Sequence, residues 1–104
     1  MNRERITPGR IRRLTLPDGT GQAFLWDTDA PRLAVRITEG SKSFVFESKL
    51  NRQTVRVTIG DVRTWELDAA RDEARRLQTM VDQGIDPRQE KRERIAAVEA
   101  KRVE

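Results

Sequence analysis

"KSFVFESKLNRQTVRVTIG", residues 42–60, contains two runs that alternate with a period of two on either side of Asn51-Arg52. In the second run Val55, Val57 and Ile59 point one way, while Thr54, Arg56 and Thr58 point the other. A two-residue hairpin loop at Asn51-Arg52 sets residue 50 opposite 53 and brings Phe44/Ile59, Phe46/Val57 and Ser48/Val55 together on one face. The preceding stretch "RLAVRIT" (32–38) alternates as well. A second two-residue loop at Gly40-Ser41 sets 39 opposite 42 and adds Ile37/Phe44, Val35/Phe46 and Leu33/Ser48 to the same face. Two independent turns thus predict one apolar face on a three-stranded antiparallel sheet. "AFLWD" (23–27) predicts a short extra N-terminal strand, stopped by the turn residues of "TDAPR".

After Gly60 the period changes to 3.6. Leu67, Ala70, Ala74, Leu77 and Val81 form a helical stripe that can cover the apolar face. Gly84 suits a left-handed C-terminal cap with Ile85 returning to Met80, and Pro87 prevents continuation, so the helix spans about 67–83. The expected fold class is therefore α+β, a three-stranded sheet packed against one C-terminal helix. Residues 1–22, with Pro8, Gly9, Pro17, Gly19 and Gly21, read as a mostly irregular arm; 23–87 form the packed domain. Residues 88–104 read as a charged helical linker whose apolar stripe (Ile95, Val98) is too thin to stabilise itself.

Composition narrows the function. Of 104 residues, 36% are hydrophobic and 37% charged, so the core is small and part of the chain lies outside it. The net charge is +4, but unevenly placed: eleven basic against six acidic residues in 1–60, four against seven in 61–87, six against four in 88–104. The excess positive charge sits in the strand-rich half and favours an anionic partner such as nucleic acid or an acidic membrane surface over an acidic protein substrate. With no Cys, no His and no Tyr, the chain lacks thiolate chemistry, the commonest general base and the commonest metal ligand. "GTG" (19–21) lacks the strand-to-helix setting of a phosphate loop. Asp27 and Asp29 beside Pro31 read as turn formers, and Trp26 and Trp65 as core-edge residues. No catalytic residue, cofactor, metal or small-molecule substrate is expected. No apolar run has the length of a membrane span, and a cytoplasmic location is expected.

The face opposite the core is the functional candidate. The two turns predict its cross-strand rows as Arg36, Val45, Thr58; Ala34, Glu47, Arg56; and Arg32, Lys49, Thr54, with Lys42 and Arg52 at the turns. Such a face can enter the DNA major groove, which admits a two-stranded ribbon. Arg32, Arg36 and Arg56 suit guanine edges or phosphate; Lys42, Lys49 and Arg52 suit phosphate; Thr54 and Thr58 suit either, and Val45 a thymine methyl. An ordinary solvated face also carries Arg, Lys and Thr, with Glu47 opposite Arg56 as a cross-strand ion pair. The acidic helix segment Glu66, Asp68, Asp72, Glu73 offers the competing reading, a protein–protein module.

"LWDTDAPRLAVRITEGSKSFVFESKLNRQTVRVTIGD" followed by "LDAARDEARRLQTMVDQGIDPRQEK" resembles the N-terminal arm-type DNA-binding domain of phage- and genomic-island-type tyrosine recombinases, the integrases. The "KSFVF" strand, the "TIG" strand end, the "LDAARDEAR" helix start and the "GIDPRQEK" exit occur in the family's order and spacing. The resemblance implies a three-stranded sheet backed by a helix, binding short repeated arm sites of attachment-site DNA through the outer face of the sheet, in the major groove. Double-stranded DNA is then the partner, with other recombinase subunits as further partners. Arg32 and Ala34 stand where the family usually has glycines, and "TWEL" replaces a more usual serine, leaving Thr64 as the expected N-cap. In that family a tyrosine in a separate C-terminal domain cleaves the DNA; with no Tyr this chain cannot, and it reads as the binding module with the start of a linker. A stand-alone accessory DNA-binding factor is the alternative.

Overall fold

A computed structural model describes residues 3–102, with the backbone alone for Lys91, Lys101 and Arg102. The extremities of the two expected flanking segments, 1–2 and 103–104, lie outside the described residues. Among the described residues five strands form one sheet in sequence order: β1 (Arg3–Glu4), β2 (Gln22–Asp27), β3 (Leu33–Thr38), β4 (Lys42–Leu50) and β5 (Gln53–Asp61). β1 pairs parallel with β2, and every other pairing is antiparallel. Helix α1 (Pro8–Arg13) joins β1 to β2, and α2 (Leu67–Asp82) and α3 (Pro87–Arg102) follow the sheet. The α+β plan of a sheet backed by a helix holds, with two strands beyond the central three.

The β4–β5 hairpin turns at Asn51-Arg52, both with positive φ (51° and 69°), the conformation of a type I′ turn. Phe46↔Val57 and Ser48↔Val55 pair as the turn predicts. Phe44 does not face Ile59. A bulge in β5 sets it opposite Gly60, and the Trp65 indole lies on that glycine, where a Cβ would stand 2.3 Å from Cδ1 and Nε1. The β3–β4 turn is centred on Glu39-Gly40 rather than Gly40-Ser41. Thr38 N–H donates to the Ser41 carbonyl at 2.9 Å, and the two hydroxyls hydrogen-bond at 2.9 Å. The register therefore moves by two residues: Leu33, Val35 and Ile37 face Phe46, Phe44 and Lys42. A shift of two leaves every side chain on its expected face.

Ala70, Ala74, Leu77 and Val81 of α2 are buried on the inner face, against a core of Leu25, Leu33, Val35, Phe44 and Phe46. The helix ends as expected: Gly84 has φ 81°, its N–H donates to Val81, and the Ile85 N–H donates to Met80. Its start differs. The N-cap is Glu66, without a side-chain cap, while Thr64 N–H and Trp65 N–H both donate to the Asp61 carbonyl and place Thr64 in the preceding turn.

The N-terminal segment is more ordered than its Pro and Gly content implies. Thr7 caps α1, accepting from Arg10 N–H at 3.1 Å with Pro8 in the first turn, and Ile6 and Ile11 enter the core. Their burial explains why an expected arm folds.

Candidate nucleic-acid interface

On the outer face the pairings Val45↔Thr58, Glu47↔Arg56 and Lys49↔Thr54 stand as the hairpin predicts. The two-residue slip in β3 rearranges the rest. Ala34 now lies beside Val45, Arg36 beside Ser43, and Arg32, whose carbonyl accepts from Glu47 N–H at 3.0 Å, joins the Glu47–Arg56 row.

β2 adds two aromatic side chains to this face. Its inward residues are Leu25 and Asp27, so Phe24 and Trp26 point outward beside Arg36 and Ala34. The rings stack at 6.1 Å. Arg56 reaches back across the sheet: its guanidinium lies 5.1 Å from the Phe24 centroid and donates to Glu47 Oε1 at 3.1 Å. Together these side chains account for the complete burial of Ala34 and Val45 in the middle of an outward face. Val45 is thus closed off from a thymine methyl, contrary to the sequence reading.

Lys42 also differs from expectation. Its Nζ donates to the carbonyls of Ile11 (2.7 Å) and Arg12 (3.4 Å), where it satisfies the C-terminal end of α1. The other candidates remain presented. Arg32, Arg52, Thr54 and Thr58 are exposed, Arg36 is half-buried, and the exposed Lys49 donates to Thr54 Oγ1 at 2.7 Å. Among the described residues, Arg32, Arg36 and Arg52 take part in no salt bridge. At the far end of the face Asp61 is held by a two-pronged bond from Arg63 (3.1 and 3.0 Å), which keeps its carboxyl below the ordinary value.

A buried ion pair behind the face holds its frame. The Asp27 carboxylate accepts from Arg71 Nε (2.8 Å) and Nη2 (3.2 Å), from Ile6 N–H (3.0 Å) and from Ala30 N–H (3.0 Å). Arg71 Nη2 also donates to the Ile6 carbonyl at 2.6 Å. Burial pushes the Asp27 carboxyl up, but the Arg71 bond and the two backbone N–H bonds outweigh it, so its pKa lies below the ordinary value. Asp27 is a turn former, as read, through Ala30, and also the anchor of the segment that follows β1, through Ile6, and of α2, through Arg71. The signal available for this pair was a lone arginine between Ala70 and Ala74 on an apolar stripe.

Among the described residues no helix is long and apolar enough to cross a membrane. The family model described as an Arm DNA-binding domain matches residues 6–94. Prophage integrase IntF of Escherichia coli (strain K12) is 50% identical over 104 residues, which is all of this chain and 22% of that protein. A sheet with unbridged cations on the face away from its helix, matched by that model over most of its length, places the chain in the Arm DNA-binding domain family.

Proposed function

We propose that the chain binds double-stranded DNA as the N-terminal module of a site-specific recombinase, reading arm-type repeats with the β4–β5 ribbon in the major groove. The observation that carries this reading is the placement of the unbridged Arg32, Arg36 and Arg52 on the face that α2 leaves uncovered. Strands lie about 4.8 Å apart and the groove is about 12 Å wide, so β4 and β5 enter it with β3 along its wall, while the five-stranded sheet as a whole does not. β4 and β5 are suited to be that ribbon. Their pairs from Ser48↔Val55 to Leu50↔Gln53 run past the last pairing of β3, at Leu33↔Phe46, leaving Lys49, Arg52 and Thr54 on a projecting tip. Arg52 holds φ 69° at a turn position where glycine is usual, a conformation costing about 1–2 kcal/mol. A cation kept there despite that cost supports a role at the tip.

In the same reading Arg36 and Arg32 contact the groove wall or base edges. Arg56 contributes by releasing Glu47, whose carboxylate can then accept from cytosine N4. In the acidic segment of the protein–protein alternative, Asp72 pairs with Arg75 at 3.1 Å and Glu73 with Arg76 at 2.7 Å, which leaves Glu66 and the exposed Asp68 as the acidic side chains it would offer. Strand cleavage, in a protein of which this chain would form the first part, is assigned to residues elsewhere.

Titration of a labelled arm-repeat duplex and a random duplex at several salt concentrations tests the reading. Contact with roughly 4–6 phosphates gives a log–log slope of about −4 to −5, and Arg36→Ala weakens repeat binding by ~1–3 kcal/mol while sparing random DNA. A slope near zero, or equal affinity for both duplexes, contradicts it.

A further inference from the structure

We infer that α3 forms a wall of the DNA site, in which Arg92 binds a phosphate on the strand bordering the groove beside β5; this rests on the ribbon reading above. α3 is held against the domain. Pro87 is buried, Arg76 of α2 donates to both Glu73 (2.7 Å) and Glu90 (3.3 Å), Arg94 also bonds Glu90, and α3 packs against β5. Between helix and strand runs a groove lined by Arg56, Val57, Thr58, Arg88, Arg92 and Ile95. Two of these, Arg56 and Thr58, belong to the outward face, so the groove continues the proposed site around the sheet edge.

Position and charge together indicate the ligand. β5 is an edge strand, and a ribbon filling a groove about 12 Å wide has a phosphate backbone along each edge. On the β5 side the element that meets that backbone is α3. Arg88 is committed to Asp86 through a two-pronged bond (3.1 and 2.9 Å). Arg92 is less committed: its Nε donates to the Arg88 carbonyl at 3.3 Å, but its side chain is 66% exposed and its Nη2 stands 4.0 Å from Asp86 Oδ2, an oxygen already bonded by Arg88. A cation beyond the edge of the ribbon reaches backbone rather than base edges, so its contribution is independent of sequence. The segment read from sequence as a charged linker thereby acquires a binding role.

The test uses the full chain with arm-repeat and random duplexes, comparing Arg92→Ala, Arg92→Lys and Arg36→Ala. Arg92→Ala should weaken both duplexes by the same several-fold factor and lower the magnitude of the salt slope by about one, with an unchanged melting temperature. Arg92→Lys should restore the slope. If the native chain binds and Arg36→Ala weakens it while Arg92→Ala binds with native affinity and slope, the α3 wall is refuted and the sheet reading stands. Weakening confined to the repeat, or a lysine variant that behaves like alanine, equally overturns a phosphate contact. Failure of the native chain to bind either duplex defeats the ribbon reading itself.

Discussion

Replacing Arg71 with methionine keeps an unbranched stem in the core and deletes the charge that balances Asp27. In the native chain five hydrogen bonds around this pair join the N-terminal segment, the end of β2, the β2–β3 turn and α2. Asp27 is 0% exposed and Arg71 6%, so solvent offers the carboxylate no substitute partner. Two backbone N–H donors would remain on an uncompensated buried charge, a loss of roughly 3–5 kcal/mol. Domains of this size melt about 4–8 °C lower per kcal/mol, so the melting temperature should fall by at least roughly 12 °C. The pH dependence adds a second signature. Because the folded Asp27 carboxyl is depressed, its stabilisation is fully present above its ordinary value of 3.8 and is lost as the pH falls through the lower folded value. Without Arg71, burial raises that carboxyl instead, and its protonation relieves the variant. The stability gap between native and Arg71→Met chains should therefore be widest near neutral pH and narrow toward about pH 3. Urea unfolding followed through Trp26 and Trp65 fluorescence reads both quantities. A loss below ~1 kcal/mol at neutral pH, the value of an exposed pair, or a gap independent of pH refutes the clamp.

Gly60→Ala places a methyl 2.3 Å from the Trp65 indole and should cost ~1–3 kcal/mol with a changed tryptophan emission; native stability would show that the indole does not rest on the bulge. Arg52→Gly should raise stability by up to about 1 kcal/mol by relieving φ 69°, and lower the salt slope for duplex binding by about one. Undiminished binding with improved stability would remove Arg52 from the site.

Local signals carried the parts of the fold that were legible in the sequence. The type I′ hairpin, the α2 stripe and the Gly84 cap each depend on residues within a turn or two of one another. The β3–β4 register was not legible for a definite reason. Slipping a strand by two residues keeps its hydrophobic face intact, so the pattern that settles which side is buried is silent on which rows align. That silence matters for the site, because the slip moves Arg32 from Lys49 and Thr54 to Glu47 and Arg56, and moves Arg36 from Val45 to Ser43. β1 and α1 were hidden for another reason. Their order depends on Asp27 meeting Ile6, 21 positions away, and Arg71, 44 positions away, and no local period reports a contact of that span.

The burial of Val45 follows the same logic, since its cover comes from Phe24 on one side and Arg56 on the other rather than from its own strand. It also sets what binding must rearrange. For the ribbon to read bases at its centre, Arg56 has to leave both Phe24 and Glu47, giving up an exposed ion pair worth ~1 kcal/mol or less and a cation–π contact of about 0.5–1 kcal/mol at an exposed site. A bidentate guanine contact returns ~1–3 kcal/mol, whereas an ill-matched base returns nothing. The balance favours release only on the right sequence. In the proposed reading Arg56 would stay folded over Phe24 on other DNA, and binding there would draw on Arg52 at the ribbon tip, a cation that has no salt bridge to give up.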